Sequence, residues 1–261
     1  DLKKITSRLL TCAYQGTRNS SGQTLQAAKE LAQSIGAIFH HWQIDDEVNS
    51  YSQKIEQALG RKLTWETDDL ALQNIQARSR SPIIWMLANI HKALLLTTSN
   101  RSEGDVGYAT MDGDTSGSLA PIAGLSKPFV IQWLKWAEKA LNYPGLSYVN
   151  NLQPTAELRP QERHQTDEAD LMPYVLLEQI ELHAIQQRKS PREVYTALSN
   201  GKEDDQLKVY VKKFFRMWSI NQWKRERLAP SFHLDNLNVD PRSWCRFPIL
   251  SGGFEEELKQ L

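Results

Sequence analysis

The amino-acid sequence predicts an α/β fold, a parallel sheet with helices on both faces, followed by a helical C-terminal extension. Three observations lead there. Apolar runs at 9–14, 38–44 and 93–98 are short, bounded by polar loops, and read as buried strands. Longer stretches with apolar residues at helical spacing separate them. From Ser126 onward the spacing is helical nearly throughout. A chain of 261 residues suits one large α/β domain, and with no internal repeat or low-complexity tract it reads as one domain over 1–261.

The first strand, LLTCAY, runs into the polar loop QGTRNSSGQT. Ser20 and Gln23 fit a capping box, and the next helix places Leu25, Ala28, Leu31, Ala32 and Ile35 on one face before Gly36 stops it. The second strand leads into a helix ending at Gly60, and a long helical pattern then covers about 68–90. After the third strand comes the loop TSNRSE. Ligands of parallel sheets sit beyond the carboxyl ends of the strands, where the loops after Tyr14 and after Leu96 fall. Ser126 caps a helix with Pro128 in its first turn, and Val130, Trp133, Leu134, Ala137 and Leu141 form its buried face. A polar loop at 150–170 precedes helices near 174–187, 191–198 and 206–227, and a tail with Pro230, Pro241 and Pro248 reads as irregular.

Lysine plus arginine and aspartate plus glutamate both number 31, so no basic field argues for nucleic acid and no acidic tail for a basic partner. Small anionic ligands need only local charge and stay open. Cys12 and Cys245 are too far apart for a metal motif and suit a reducing, cytoplasmic setting. No apolar run reaches membrane-spanning length, and the start DLKK is not a signal peptide. Because the first residue is Asp1, the chain is expected to be a piece of a longer polypeptide. His40 and His41 lack ligand spacing for zinc, and Trp133 with Trp136 reads as core or interface.

The strongest local signal is TTSNRSE at 97–103. Thr98 closes a strand and Glu103 opens a helix, where a hydroxyl can hold a phosphate oxygen and a carboxylate the magnesium the phosphates share. The simpler reading is that Thr98, Ser99 and Asn100 cap a helix, with Glu103 at its positive end. Asp112 and Asp114 in MDGD suggest a second metal site, but a turn around Gly113 accounts for them.

Four linked segments change the balance. QNIQAR, TTSNRSE, VGYATMDGDTSGSLAPIAGLSK and PTAELRP are similar in order and spacing to the synthetase domain of NAD synthetases. The tail RFPILSG resembles the glutamine-dependent type. The resemblance implies a Rossmann-like, adenine nucleotide alpha-hydrolase-like fold of the ATP-pyrophosphatase type. It implies a reaction that adenylates deamido-NAD with ATP, releases pyrophosphate, and lets ammonia from a separate glutaminase domain displace AMP. It places Thr98, Lys127 and Thr155 on ATP, with Lys127 and Thr98 nearest the chemistry, and Glu103 on magnesium. Arg78 and Lys224 fall on deamido-NAD, Arg78 often across a homodimer or higher homo-oligomer interface. A solvated helix arginine describes Arg80 better than Arg78. Met111 and Ser118 depart from the lysine and aspartate that bind deamido-NAD in the shorter ammonia-dependent enzymes; Ser118 keeps hydrogen-bonding capacity and Met111 cannot replace a cation.

The family's phosphate loop, SGGxDS, should precede LLTCAY, and no such segment stands there. LSGG at 250–253 is a decoy, followed by Phe254 and three glutamates. The start of the domain is therefore expected to be missing, with the glutaminase domain. Two other readings stand beside this one: another ATP-pyrophosphatase amidase acting on a nucleotide base, or a non-catalytic binding or assembly module that lost the loop.

Overall fold

A computed structural model describes residues 1–249 and 251–261. In chain order the elements are α1 (Leu2–Leu9), β1 (Thr11–Gly16), α2 (Gly22–Ile35), β2 (Ile38–Gln43), α3 (Asp45–Leu59), α4 (Asp69–His91), α5 (Arg101–Val106), α6 (Lys127–Ala140), α7 (Leu146–Asn150), α8 (Asp167–Asp170), α9 (Tyr174–Glu181), α10 (Pro191–Ser199), α11 (Asp205–Ile220), α12 (Gln222–Arg225) and α13 (Glu255–Lys259). They gather into two compact units, Asp1–Ala93 with Val130–Asp170, and Leu94–Phe129 with Leu171–Leu261.

In the first unit β1 and β2 pair in parallel, from Thr11 opposite Ile38 to Gly16 opposite Gln43. The connection between them is α2, which packs on both strands and on α7. The cap of α2 is Ser21, whose side chain accepts from Thr24 N, one residue later than expected. Ser20 instead accepts from Thr17 N inside the loop. Gly36 ends the helix at φ 82°, and a Cβ there would lie 2.7 Å from that of Lys3, so glycine is required twice over. β1 begins later than the apolar run because Leu2, Ile5 and Leu9 form a helical stripe behind an Asp1 cap, and that stripe is exposed. On α6 the face turned inward is Leu134 and Ala137. Trp133 and Leu141 were expected there, yet both are exposed; Trp133 lies beside the also exposed Trp136, ring centroids 6.4 Å apart and planes tilted by 45°.

The second unit is built around α9, α10 and α11, whose Leu177, Ile180, Val194, Val211, Phe214 and Phe215 form the core with Leu171, Met172 and Val106. A π-helical turn, Leu182–Gln186, continues α9. The run at 93–98 does not form a strand of the sheet. It makes one parallel bridge, Leu96 to Leu119, held by Ser118 N donating to Leu95 O (2.7 Å) and Thr97 N donating to Leu119 O (3.0 Å). The partner segment then leaves, because Ala120 N donates to Pro230 O at 2.8 Å and a second bridge joins Ala120 to Ser231. The tail is thus tied in rather than irregular at that point. Gly107 ends α5 at φ 64°, and a Cβ there would meet the Asn221 Cβ at 2.4 Å. The 250–253 decoy falls partly on residue 250, which lies outside the described residues.

Candidate functional site

The capping reading of TTSNRSE is realised, and it does not exhaust the residues. Asn100 Oδ1 accepts from Glu103 N (3.1 Å), while Glu103 Oε2 accepts from Asn100 N (3.3 Å), a reciprocal capping box. The second carboxylate oxygen, Oε1, takes Lys127 Nζ at 2.9 Å, with both side chains 18% exposed. Lys127 opens α6, its backbone N donates to Ser102 Oγ (3.1 Å), and its ammonium lies 5.5 Å from the Tyr174 ring centroid. Ser126 Oγ donates to Glu178 and accepts from Phe129 N, capping α6 as expected. Thr97 is buried and donates to Asp114 O at 2.7 Å; Thr98, the next residue, is exposed. The arrangement sets an exposed hydroxyl, a half-buried carboxylate and a half-buried ammonium on one short stretch of chain and its α6 partner.

Beneath α5 lies a buried charge cluster that the sequence reading missed. Arg101, Asp105, Glu181 and Arg225 are each at most 4% exposed. Arg101 donates to Gly124 O and reaches Asp235, while its Nε stands 3.6 Å from Glu181. Arg225 donates to Asp105 O (2.6 Å) and stacks 3.9 Å from the Trp218 ring centroid. The Asp105 and Glu181 carboxyls adjoin each other, and none of their four oxygens has a hydrogen-bond partner among the described residues. Burial pushes both above the usual carboxyl range, the Asp105 charge raises Glu181 further, and the two guanidiniums only partly offset this at Asp105. The available sequence signal was a glutamate on the apolar face of α9 and an Arg–Asp pair four apart on α5.

Lys224 Nζ donates to Gly107 O (2.7 Å) and Ala109 O (2.8 Å), so α12 is fastened to the segment after α5. Met111 is 2% exposed, so its thioether packs inward. Ser118 is half-buried on the bridge segment. MDGD is a turn, with Asp114 Oδ1 accepting from Thr110 N (2.7 Å) and Asp112 paired with Arg227 (2.9 Å).

Arg78 and Thr155 belong to the first unit. Arg78 is exposed along a groove shared with Tyr51, Ile55, Leu59, Leu70 and Asn74. Arg80 is not the solvated helix arginine of the sequence reading: it is half-buried, and its Nε donates to Gln15 O at 3.0 Å, at the carboxyl end of β1. Two residues along a helix turn the side chain about 200°, so one arginine faces the sheet and the other faces away. Thr155 Oγ1 donates to Gln165 O (2.7 Å) and accepts from Glu157 N (3.2 Å) within its own loop. The QNIQAR helix holds that loop through Gln76, whose Nε2 donates to Leu158 O at 2.7 Å.

Residues 6–228 match the NAD synthase family. The chain belongs to the NAD synthase family. Among its relatives are glutamine-dependent NAD(+) synthetases of Arabidopsis thaliana, 32% identical over 92% of this chain and 36% of the relative, and of Aquifex aeolicus, 34% identical over 93% and 40%. A crystal structure of a glutamine-dependent NAD(+) synthetase from Cytophaga hutchinsonii is 57% identical, with a TM-score of 0.87 over 99% of this chain and 42% of that one. The chain thus spans well under half the length of these relatives. That likeness shows the expected fold, a parallel-sheet α/β domain of the adenine nucleotide alpha-hydrolase-like kind. In this NAD synthase family chain, Arg78, Thr98, Glu103, Ser118, Lys127, Thr155 and Lys224 all lie inside the matched span 6–228. No helix among the described residues is long and apolar enough to cross a membrane.

Proposed function

We propose that the chain, over 1–261, is the synthetase domain of a glutamine-dependent NAD synthetase, which amidates deamido-NAD at the expense of ATP. Family membership over 6–228 carries this reading, and the Glu103–Lys127 pair supports it locally. ATP adenylates the nicotinate carboxylate, pyrophosphate leaves, and ammonia released from glutamine by a separate glutaminase domain displaces AMP. The ammonium of Lys127 faces the developing negative charge of the pyrophosphate, the Thr98 hydroxyl holds a phosphate oxygen, and Thr155 contacts ATP. Arg78, Lys224 and Ser118 contact deamido-NAD, Arg78 through the guanidinium's fit to a pyrophosphate. Lys224 Nζ now holds two backbone carbonyls, so its role toward the dinucleotide requires exchanging at least one of them.

Glu103 suits a magnesium ion as a single carboxylate: it is partly exposed, and one oxygen is held only by a lysine that can turn to phosphate. Among the described residues no three His, Cys, Asp or Glu side chains cluster as ligands, so nucleotide oxygens and water must complete the shell. When bound there, magnesium neutralises phosphate charge. A homo-oligomer and a cytoplasmic setting belong to the same reading, the latter supported by two free thiols.

The sequence contains no SGGxDS, the loop that supplies phosphate donors and a metal carboxylate, so this polypeptide alone is proposed to make little or no NAD. That absence also favours the second reading, a non-catalytic module of the same fold; a base-directed ATP-pyrophosphatase amidase has no supporting feature here. The deciding experiment supplies ATP, deamido-NAD and either glutamine or ammonia to the full-length protein and to the 261-residue chain. NAD formation by the full-length protein supports the proposal. Its failure there favours the non-catalytic module, and robust synthesis by the shorter chain overturns the dependence on the missing loop.

A further inference from the structure

We propose that Arg159 is a positioning residue: its ion pairs to Asp69 and Asp170 latch the 154–170 loop onto α4, so that a purine nucleoside triphosphate meets Thr155 already in place. The proposal rests on the nucleotide role of Thr155 given above. Arg159 forks onto Asp69, Nε to Oδ1 and Nη2 to Oδ2, both at 2.9 Å, and its Nη1 donates to Asp170 Oδ1 at 2.9 Å. Asp69 opens α4, and Asp170 closes the loop, so one planar guanidinium joins the helix to both arms of the loop. The bidentate geometry is the kind that fixes direction as well as distance.

A relay leads from that clamp to Thr155. Asp170 Oδ2 accepts from Gln165 Nε2 (2.8 Å), which fixes the Gln165 amide; a second donation, to Gln73 Oε1 (3.1 Å), ties it to α4. The Gln165 Oε1 then accepts from Leu158 N (3.1 Å) and Arg159 N (3.2 Å), and the Gln165 backbone carbonyl takes the Thr155 hydroxyl at 2.7 Å. The loop needs such a clamp. Its regular structure is a three-residue turn, Gln161–Arg163, and the four residues of α8, while Glu157 and His164 sit at φ 47° and 44°, where residues other than glycine are strained. Both edges of the Arg159 guanidinium face carboxylates, so its part is to hold the loop and not to bind phosphate itself.

The test combines hydrogen exchange with substrate titration in the full-length protein. Arg159→Ala is expected to speed exchange across 155–166 about tenfold, as loss of a charge-assisted contact implies, with the rest of the chain unchanged. It should raise KM for ATP by about the same factor, while kcat and KM for deamido-NAD stay within about twofold. Arg159→Lys, which keeps the charge but not the fork, should recover part of both effects. Asp69→Ala combined with Arg159→Ala should open the loop no further than the larger single effect, because the two act as one contact. Unchanged exchange at 155–166 in Arg159→Ala overturns the proposal. So does a loss spread evenly over kcat and both KM values, and so does a faster-exchanging loop with an unaltered KM for ATP. A wild-type protein indifferent to ATP defeats the proposed function before any variant is made, and exchange still decides whether Arg159 holds the loop.

Discussion

Replacing Glu181 by glutamine should make the protein more stable above neutrality and leave it nearly unchanged in mild acid. Glu181 and Asp105 are both fully buried, and among the described residues none of their four carboxyl oxygens has a hydrogen-bond partner, so each carboxyl stands beside the other with its charge poorly compensated. Burial and the neighbouring carboxylate both disfavour two anions there, so the pair holds a proton more tightly than the unfolded chain does. Burial raises both carboxyls above their unfolded values, and the sign follows: the stability of the pair is fully present below the unfolded carboxyl range and is lost as pH rises through the folded value. Each pH unit over which the folded protein retains a proton that the unfolded chain releases costs about 1.4 kcal/mol. Arg101 Nε, 3.6 Å from Glu181, offsets part of this but makes no hydrogen bond. Glutamine keeps the shape, supplies N–H donors to Asp105, and has no proton to lose. Relative to wild type, Glu181→Gln should therefore gain about 1.4 kcal/mol or more between pH 5 and pH 8. Urea unfolding followed by tryptophan fluorescence, at several pH values across that window, measures it, since Trp218 lies in the same unit. Parallel stability curves for the two proteins would refute proton retention by the buried pair.

Three further outcomes follow from other residues. Glu103→Gln in the full-length protein should slow pyrophosphate release and weaken its magnesium dependence more than it affects deamido-NAD binding; an unchanged magnesium titration removes Glu103 as a ligand. Lys127→Ala should mainly raise the ATP requirement and Arg78→Ala the deamido-NAD requirement, each by about tenfold or more for a lost charge-assisted contact of about 1.5–3 kcal/mol, read by titrating one substrate with the other saturating. Gly107→Ala should destabilise the protein by more than about 1 kcal/mol in thermal unfolding, because it combines a left-handed backbone with a contact of 2.4 Å to Asn221; an unshifted Tm contradicts that packing.

Much of the first unit was legible because its signals are local. Gly36 and Gly60 end α2 and α3 in the left-handed conformation, and the long period of α4 reads directly from the sequence. The misses have local causes too. Adjacent serines compete for one cap, and Ser21 wins it. Ala93–Thr98 had the composition of a strand, but pairing is decided by a partner, and the Leu119 segment bonds Leu95 and Thr97 and then turns to Pro230. Helical spacing assigned Trp133 to the core, whereas Leu134 and Ala137 set the inward direction. At the site, Glu103 and Lys127 were legible as members of linked motifs, and the structure joins them across 24 residues. The Arg225 contact to Asp105 spans 120 residues, and no periodicity announces it. The burial of Met111 likewise has no local sequence signal, since the acidic turn around it reads as surface.

The full-length protein is expected to couple ATP cleavage between the α and β phosphates to amidation of deamido-NAD. Products quantified from one reaction with ATP, deamido-NAD and glutamine test it most directly. NAD, AMP and pyrophosphate are expected in equal amounts, with none of the three formed when deamido-NAD is left out. ADP and inorganic phosphate as the nucleotide products, or ATP cleavage that ignores deamido-NAD, would contradict it.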